Sequence, residues 1–119
     1  MSNTHIITHE EGITIIKFLV NPTYHLIKLI IDEVAENYQY EKRLWDLSEI
    51  QFDLTLEEIQ LISEYGKRKF TKPSKLAIYA VDDLAFGEML QFETYRKEEG
   101  RTLPMVFRNE QDAIDWLKS

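Results

Sequence analysis

The sequence predicts an α/β fold: a mixed, mostly parallel sheet of about five strands, flanked by about four helices. Three observations lead to this prediction. After residue 23, segments with helical spacing alternate with short apolar strands, which is the pattern of βαβ units. Two strands before that point surround a turn, which indicates a hairpin. Residues 75–81 (KLAIYAV) form a continuous apolar run, typical of a strand covered on both faces. The predicted order is ββαβαβαβα.

The first three elements follow from alternation, a turn signal and helical spacing. Residues 5–9 (HIITH) and 13–20 (ITIIKFLV) are predicted strands around the turn Glu10-Glu11-Gly12. Asn21-Pro22-Thr23 then breaks the strand and begins a helix over 24–37. The helix is indicated by apolar residues with helical spacing, namely Ile27, Ile30, Ile31, Val34 and Tyr38.

The remaining elements complete the alternation. A short strand over 43–47, a helix over 55–69 and the apolar strand over 75–81 follow one another. A helix over 83–99 is next, with Gly100 placed as its C-terminal stop. The last two elements are a strand over 103–107 and a helix over 109–118. We expect right-handed crossovers between the parallel strands.

Length and composition favour one globular domain over residues 1–119. The apolar fraction of 44% is too high for a disordered chain, and there is no linker or repeat. Cysteine is absent, which excludes disulfides and thiol nucleophiles. The first residues lack the pattern of a secretory signal, and no apolar stretch reaches the ~20 residues that span a bilayer. We therefore expect a cytoplasmic protein without stable membrane insertion.

The net charge of −7 argues against binding to nucleic acids, whose phosphates an acidic surface repels. The one basic run is Lys67-Arg68-Lys69, followed by Lys72 and Lys75. Cations collect in the last turn of a helix because they complement its dipole, and this accounts for the run. No nucleic-acid recognition motif accompanies it.

Polar residues follow three of the predicted parallel strands and should gather at one edge of the sheet, where α/β proteins usually bind their ligands. We expect this edge to recognise a protein partner. The candidate partner-binding or regulatory residues are Ser48, Asp53, Thr55, Asp82, Asp83 and Arg108.

The sequence contains no recognisable catalytic set, metal site or cofactor motif. The aspartates in these loops have no metal-binding spacing and are explained as helix caps. The four glycines form no phosphate-binding loop. His5 and His9 would share one face of a strand, but no third ligand is visible. We expect a binding protein that needs no cofactor, rather than an enzyme.

Thr55 has two interpretations. Residues 55–58 (TLEE) match a capping box, in which Thr55 and Glu58 exchange hydrogen bonds at the start of a helix. A hydroxyl at a helix N-terminus is also a favourable phosphorylation site, because phosphate would meet free amides and the positive end of the dipole.

Gly87 interrupts a helical segment, where glycine costs about 1 kcal/mol relative to alanine. One explanation is close packing against the sheet or a neighbouring helix. The other is that glycine opens space for a small apolar ligand. The residues of this possible pocket are Phe86, Gly87, Met89, Leu90 and Phe92.

Several stretches resemble SpoIIAA-like proteins of the STAS superfamily, which includes anti-sigma factor antagonists. Residues 45–55 (WDLSEIQFDLT) resemble the family's strand–loop–helix pattern. Further along, 81–83 (VDD) leads into 86–87 (FG), and then come 106–109 (VFRN) and 113–117 (AIDWL). Together with the element order, the resemblance covers about residues 5–118.

The resemblance implies a non-enzymatic binding or regulatory domain. In sporulation-type members a kinase phosphorylates a serine at the start of the second helix, and that position would fall at Thr55. Leu54 and Leu56 stand where that motif has serine and glycine. Some related domains carry lipids, which implies a small apolar ligand between helices as an alternative. Self-association through an edge strand is a further possibility.

Overall fold

The computed structural model describes residues 3–97 and 101–119, and the elements follow in the predicted order ββαβαβαβα. The fold class is therefore confirmed. The strands are β1 (His5–Glu10), β2 (Ile13–Phe18), β3 (Lys42–Asp46), β4 (Ser74–Tyr79) and β5 (Thr102–Phe107). The helices are α1 (Tyr24–Asn37), α2 (Leu56–Lys69), α3 (Asp83–Lys97) and α4 (Glu110–Lys118).

The five strands form one sheet in the order β1-β2-β3-β4-β5. Only the β1–β2 pair is antiparallel, as the predicted hairpin requires. Glu11 (φ 52°) and Gly12 (φ 80°) form its two-residue turn, and both adopt the positive φ of a type I′ turn. Every later strand is added parallel to the one before it.

Each crossover moves the chain one strand further in the same direction, so α1, α2 and α3 all lie on one face of the sheet. Helix α4 follows the last strand and packs on the opposite face, against β3, β4 and β5. In this sheet the strand order never reverses. It therefore lacks the crevice that such a reversal opens in doubly wound folds.

Two buried clusters lie on the two faces of the sheet. The larger one joins the sheet to the first three helices, and Trp45 packs there between Phe18 and Phe92. The smaller one joins the sheet to α4 through Leu44, Ala77, Ala113 and Leu117, with Ile13 beside them. Burial on both faces explains why the middle of β4, residues 76–78, is apolar.

Most element boundaries differ from the predicted ones by one or two residues. β2 ends at Phe18 and β4 at Tyr79, two residues earlier than predicted in each case. The apolar residues beyond both ends, Val20 and Val81, are exposed, so hydrophobicity there does not mark a strand. The predicted stop at Gly100 lies outside the described residues.

Candidate functional site

The parallel register aligns the carboxyl ends of four strands at one edge of the sheet. Lys17 pairs with Asp46, Asp46 with Tyr79, and Tyr79 with Phe107. The loops that follow are residues 19–23, 47–55, 80–82 and 108–109. These four loops and the first turns of α2 and α3 are called the rim below. All six partner-binding candidates from the sequence belong to it.

The longest loop of the rim is held in place by alternating burial. Leu47, Ile50 and Phe52 are buried in the core between helices and sheet. Asp53 and the other polar side chains of the loop stand toward solvent. The Ser48 hydroxyl and amide both donate to Asp46 Oδ1, at 2.6 and 3.0 Å. Ser48 therefore closes a local turn.

Hydrogen bonds also connect neighbouring loops of the rim. The Gln51 amide donates to Asn21 Oδ1 at 2.8 Å, which joins the loop after β3 to the loop after β2. The Leu54 amide donates to Glu88 Oε1 at 2.7 Å, which joins the same loop to α3. Three segments that are distant in sequence therefore form one connected surface.

At the other end of the rim, Arg108 connects the loop after β5 to the loop after β4 and to the first turn of α3. Its Nη1 donates to the Val81 carbonyl at 2.9 Å and pairs with Asp83 Oδ1 at 2.9 Å. Its guanidinium lies 4.1 Å from the centre of the Phe86 ring. Asp82 accepts a hydrogen bond from a backbone amide in the first turn of α3. Asp82, Asp83 and Arg108 therefore meet at one place, and each already has a structural contact.

Thr55 forms the predicted capping box. Its hydroxyl accepts from the Glu58 amide at 3.1 Å, and the Thr55 amide donates to Glu58 Oε1 at 3.0 Å. The Thr55 side chain is exposed, but the acidic residues Asp53, Glu57 and Glu58 lie within three positions of it. Like charges would repel an added phosphate, which opposes the attraction of the helix dipole.

Sequence reasoning missed Glu88, which is 8% exposed and lies beneath the rim. Burial raises the pKa of its carboxyl, and the charges of Asp53, Asp82 and Glu58 act in the same direction. The hydrogen bond from the Leu54 amide opposes this shift. Glu88 resembles an ordinary helix-surface residue in the sequence, so no local signal could have identified it.

The five residues of the possible apolar pocket do not share one environment. Met89 and Phe92 are buried in the core, whereas Leu90 is exposed. Gly87 is exposed too, and a Cβ built there would have nothing within 4 Å. The close packing expected at Gly87 is therefore wrong. Two cavities of about 300 and 420 Å³ are lined by other residues.

The second feature of the rim is a set of exposed aliphatic side chains, which no sequence motif indicated. Five aliphatic side chains on it are at least 39% exposed. Two follow β2, one begins α2, and two lie where β4 leads into α3. They are Leu19, Val20, Leu56, Val81 and Leu84. The rim therefore combines exposed aliphatic groups with carboxylates.

His5, His9 and the basic run have structural contacts. His5 Nε2 lies 3.0 Å from Glu33 Oε1, and His9 Nδ1 lies 2.8 Å from Thr14 Oγ1. The basic run occupies the last turn of α2, and Lys69 pairs with Asp32 at 3.2 Å. Residues 3–97 and 101–119 contain no group of three potential ligands able to hold a metal ion. No helix in the same ranges is long and apolar enough to cross a membrane.

The chain matches no protein-family model, and no curated protein matches its sequence. The resemblance to SpoIIAA-like proteins therefore depends on the quoted motifs and on the order of elements.

Proposed function

We propose that this protein is a non-enzymatic binding protein whose rim recognises a segment of a partner protein with basic and aliphatic side chains. One observation carries the proposal: exposed aliphatic groups stand among carboxylates on a surface whose loops are bonded to one another. Exposed apolar groups that share a patch with polar groups are typical of surfaces that bind proteins.

The bonds between loops favour binding because they reduce the ordering that association requires. The Gln51–Asn21 and Leu54–Glu88 hydrogen bonds hold the longest loop from both sides. Arg108 holds the loop after β4 in the same way. Side chains that are fixed before binding lose less conformational entropy when a partner arrives.

The charge of the rim selects the chemistry of the partner. Asp53, Asp82 and Asp83 are joined there by Glu49 and Glu57. Two of these carboxylates already form ion pairs, Glu49 with Lys17 and Asp83 with Arg108. Lysine and arginine side chains complement such a surface, whereas phosphates are repelled. The aliphatic groups then supply apolar contact that charge alone does not give.

A matched pair of leucines tests the proposal. Leu84 on the rim and Leu29 on α1 are each 52% exposed on a helix. Leu84→Lys places a cation where a basic partner would dock, and Leu29→Lys makes the same change away from the rim. The wild-type protein and both variants would first be used to capture partners from lysate. A captured partner would then be purified, and calorimetry would measure its affinity for each of the three proteins.

We expect Leu84→Lys to weaken binding of the purified partner at least about tenfold, the size of one good interface contact. Leu29→Lys should leave the affinity unchanged, and affinity should fall as salt is raised because opposite charges meet. Equal binding by both variants would refute the rim as the docking surface.

A further inference from the structure

Two arginines are fully buried toward the amino-terminal edge of the sheet, away from the rim. Arg43 and Arg96 are each 1% exposed. Arg43 Nη1 donates to the Tyr40 carbonyl at 2.6 Å and to Ser74 Oγ at 3.1 Å. Both guanidiniums approach Thr102 Oγ1, Arg43 Nη2 at 3.4 Å and Arg96 Nη2 at 2.9 Å. Two cations therefore share a single hydroxyl.

These two charges have no anionic partner in the part of the chain that the structure describes. Their hydrogen-bond acceptors are a carbonyl and two hydroxyls, and neither arginine forms an ion pair there. Arg96 Nη1 and Arg43 Nε make no hydrogen bond. Burial lowers the pKa of Arg43 to about 9, with the Arg96 charge contributing, and that of Arg96 to about 10. Buried charges without a counterion are costly, so this region favours an anion nearby.

A groove of about 300 Å³ lies between α2 and α3. It is lined by Gln60, Ser63, Glu64, Lys67 and Tyr95. The Arg96 guanidinium packs against Gly66, so that a Cβ there would lie 3.1 Å from Arg96 Nε. Gly66 lies three positions after Ser63 on the same buried side of α2, and Ser63 lines the groove. The uncompensated charge is therefore adjacent to this opening.

The groove also contains an unused hydrogen-bonding group. Ser63 is buried, and its Oγ has no hydrogen-bond partner. Unpartnered buried hydroxyls are uncommon, because leaving one unpaired is unfavourable. Lys67 lies one helical turn beyond Ser63 on α2 and forms no ion pair with any described residue.

We propose that the groove between α2 and α3 binds a small phosphate-bearing anion. Ser63 and Lys67 contact the anion, Gln60 and Tyr95 supply further donors, and the Arg96–Arg43 pair supplies positive potential from beneath. Glu64 is the one carboxylate in the wall and accepts a hydrogen bond from a hydroxyl of the ligand. The net charge of −7 does not prevent this, because salt screens charges that lie more than about 8 Å from the anion.

Inorganic phosphate is the probe, with sodium chloride of equal ionic strength as the reference. We expect phosphate to shift the amide resonances of Gly66 and Lys67 in a saturable way and to raise the melting temperature of the protein. A shift that rises without saturating, or that chloride reproduces, would overturn the proposal, since excluded salts stabilise any fold.

Two variants separate a ligand site from a structural role. Lys67→Gln should weaken phosphate binding about tenfold, because it removes one charge-assisted hydrogen bond. Lys72→Gln removes the same charge from a nearby exposed position outside the groove wall and should bind phosphate normally. Equal binding by both variants would refute the assignment of Lys67.

Ser63→Ala should keep or raise the stability of the free protein, since its hydroxyl satisfies no partner, and should weaken phosphate binding. If the alanine variant binds phosphate as well as the wild type, Ser63 is not a ligand and the site as proposed is wrong. None of these variants alters the rim, so the phosphate proposal and the partner proposal are tested independently of each other.

Discussion

Replacing Gly87 by alanine should stabilise the protein, because neither close packing nor a positive φ requires a glycine at this position. Gly87 lies within α3 on its exposed side, and a Cβ there would meet nothing within 4 Å. Its φ is not positive, since Gly12 is the positive-φ glycine among the described residues. Alanine therefore fits without strain and restricts the unfolded chain.

The expected gain is about 1 kcal/mol, the difference in helix propensity between glycine and alanine in a helix interior. For a chain of 119 residues, this corresponds to a rise of about 4 °C in melting temperature. Thermal unfolding followed by circular dichroism measures the shift, and urea titration gives the free energy of unfolding directly.

Gly66 provides the matched control, because the same substitution should have the opposite effect there. An added Cβ would lie 3.1 Å from Nε of Arg96, whose guanidinium is buried and donates to Thr102. Moving that guanidinium weakens a hydrogen bond of a buried charge, which costs about 1.5–3 kcal/mol and exceeds the propensity gain. Gly66→Ala should therefore lower the free energy of unfolding by about 1 kcal/mol.

A shift of stability in the same direction for the two substitutions would contradict the different surroundings of Gly87 and Gly66. A loss of stability in Gly87→Ala would mean that the space beside Gly87 on the helix face is occupied and not open to solvent. A gain in Gly66→Ala would mean that Arg96 moves freely, and the argument for a fixed buried charge beside the groove would fail with it.

Two further predictions concern the rim. Thr55→Ala should lower the free energy of unfolding by about 1 kcal/mol through loss of the N-cap, whereas Thr55→Ser should leave it unchanged. If urea titration finds the alanine variant as stable as the wild type, the capping role is contradicted. Glu88→Gln removes a carboxylate whose pKa in the folded state is raised above 4.5. The ionised carboxylate therefore destabilises the fold at neutral pH. This destabilisation disappears as pH falls through the folded-state pKa. The glutamine variant should therefore be more stable than the wild type at pH 7 and should lose this advantage toward pH 4; a pH-independent difference in urea titrations would count against the assignment.

Sequence reasoning succeeded where the physical cause is local. The capping residue Thr55 lies three positions before the amide from which it accepts, so the pattern and the interaction share one short segment. The hairpin follows in the same way from Gly12 and the alternation on either side. The sequence also predicted that the loops gather at the rim, because the carboxyl ends of parallel strands lie at one edge of the sheet.

The sequence could not assign the buried side of α3 or the contacts of its polar residues. Gly87 and Leu90 proved exposed, and Glu88 proved buried, within one short stretch of apolar and small residues. Glu88 is buried because it reaches the Leu54 amide, 34 positions earlier in the chain. Such a contact leaves no trace in local spacing.

By itself, then, the sequence determined the order of elements, the helix caps and the mixed sheet, since periodicity and hydrogen bonds over a few residues specify them. Only the tertiary structure decided which polar groups are buried without partners. Arg43 occupies a short, partly apolar strand and meets Thr102, 59 positions away, with Arg96 reaching the same oxygen from α3. Whether a charge is neutralised depends on everything packed around it, and that is a property of the folded molecule.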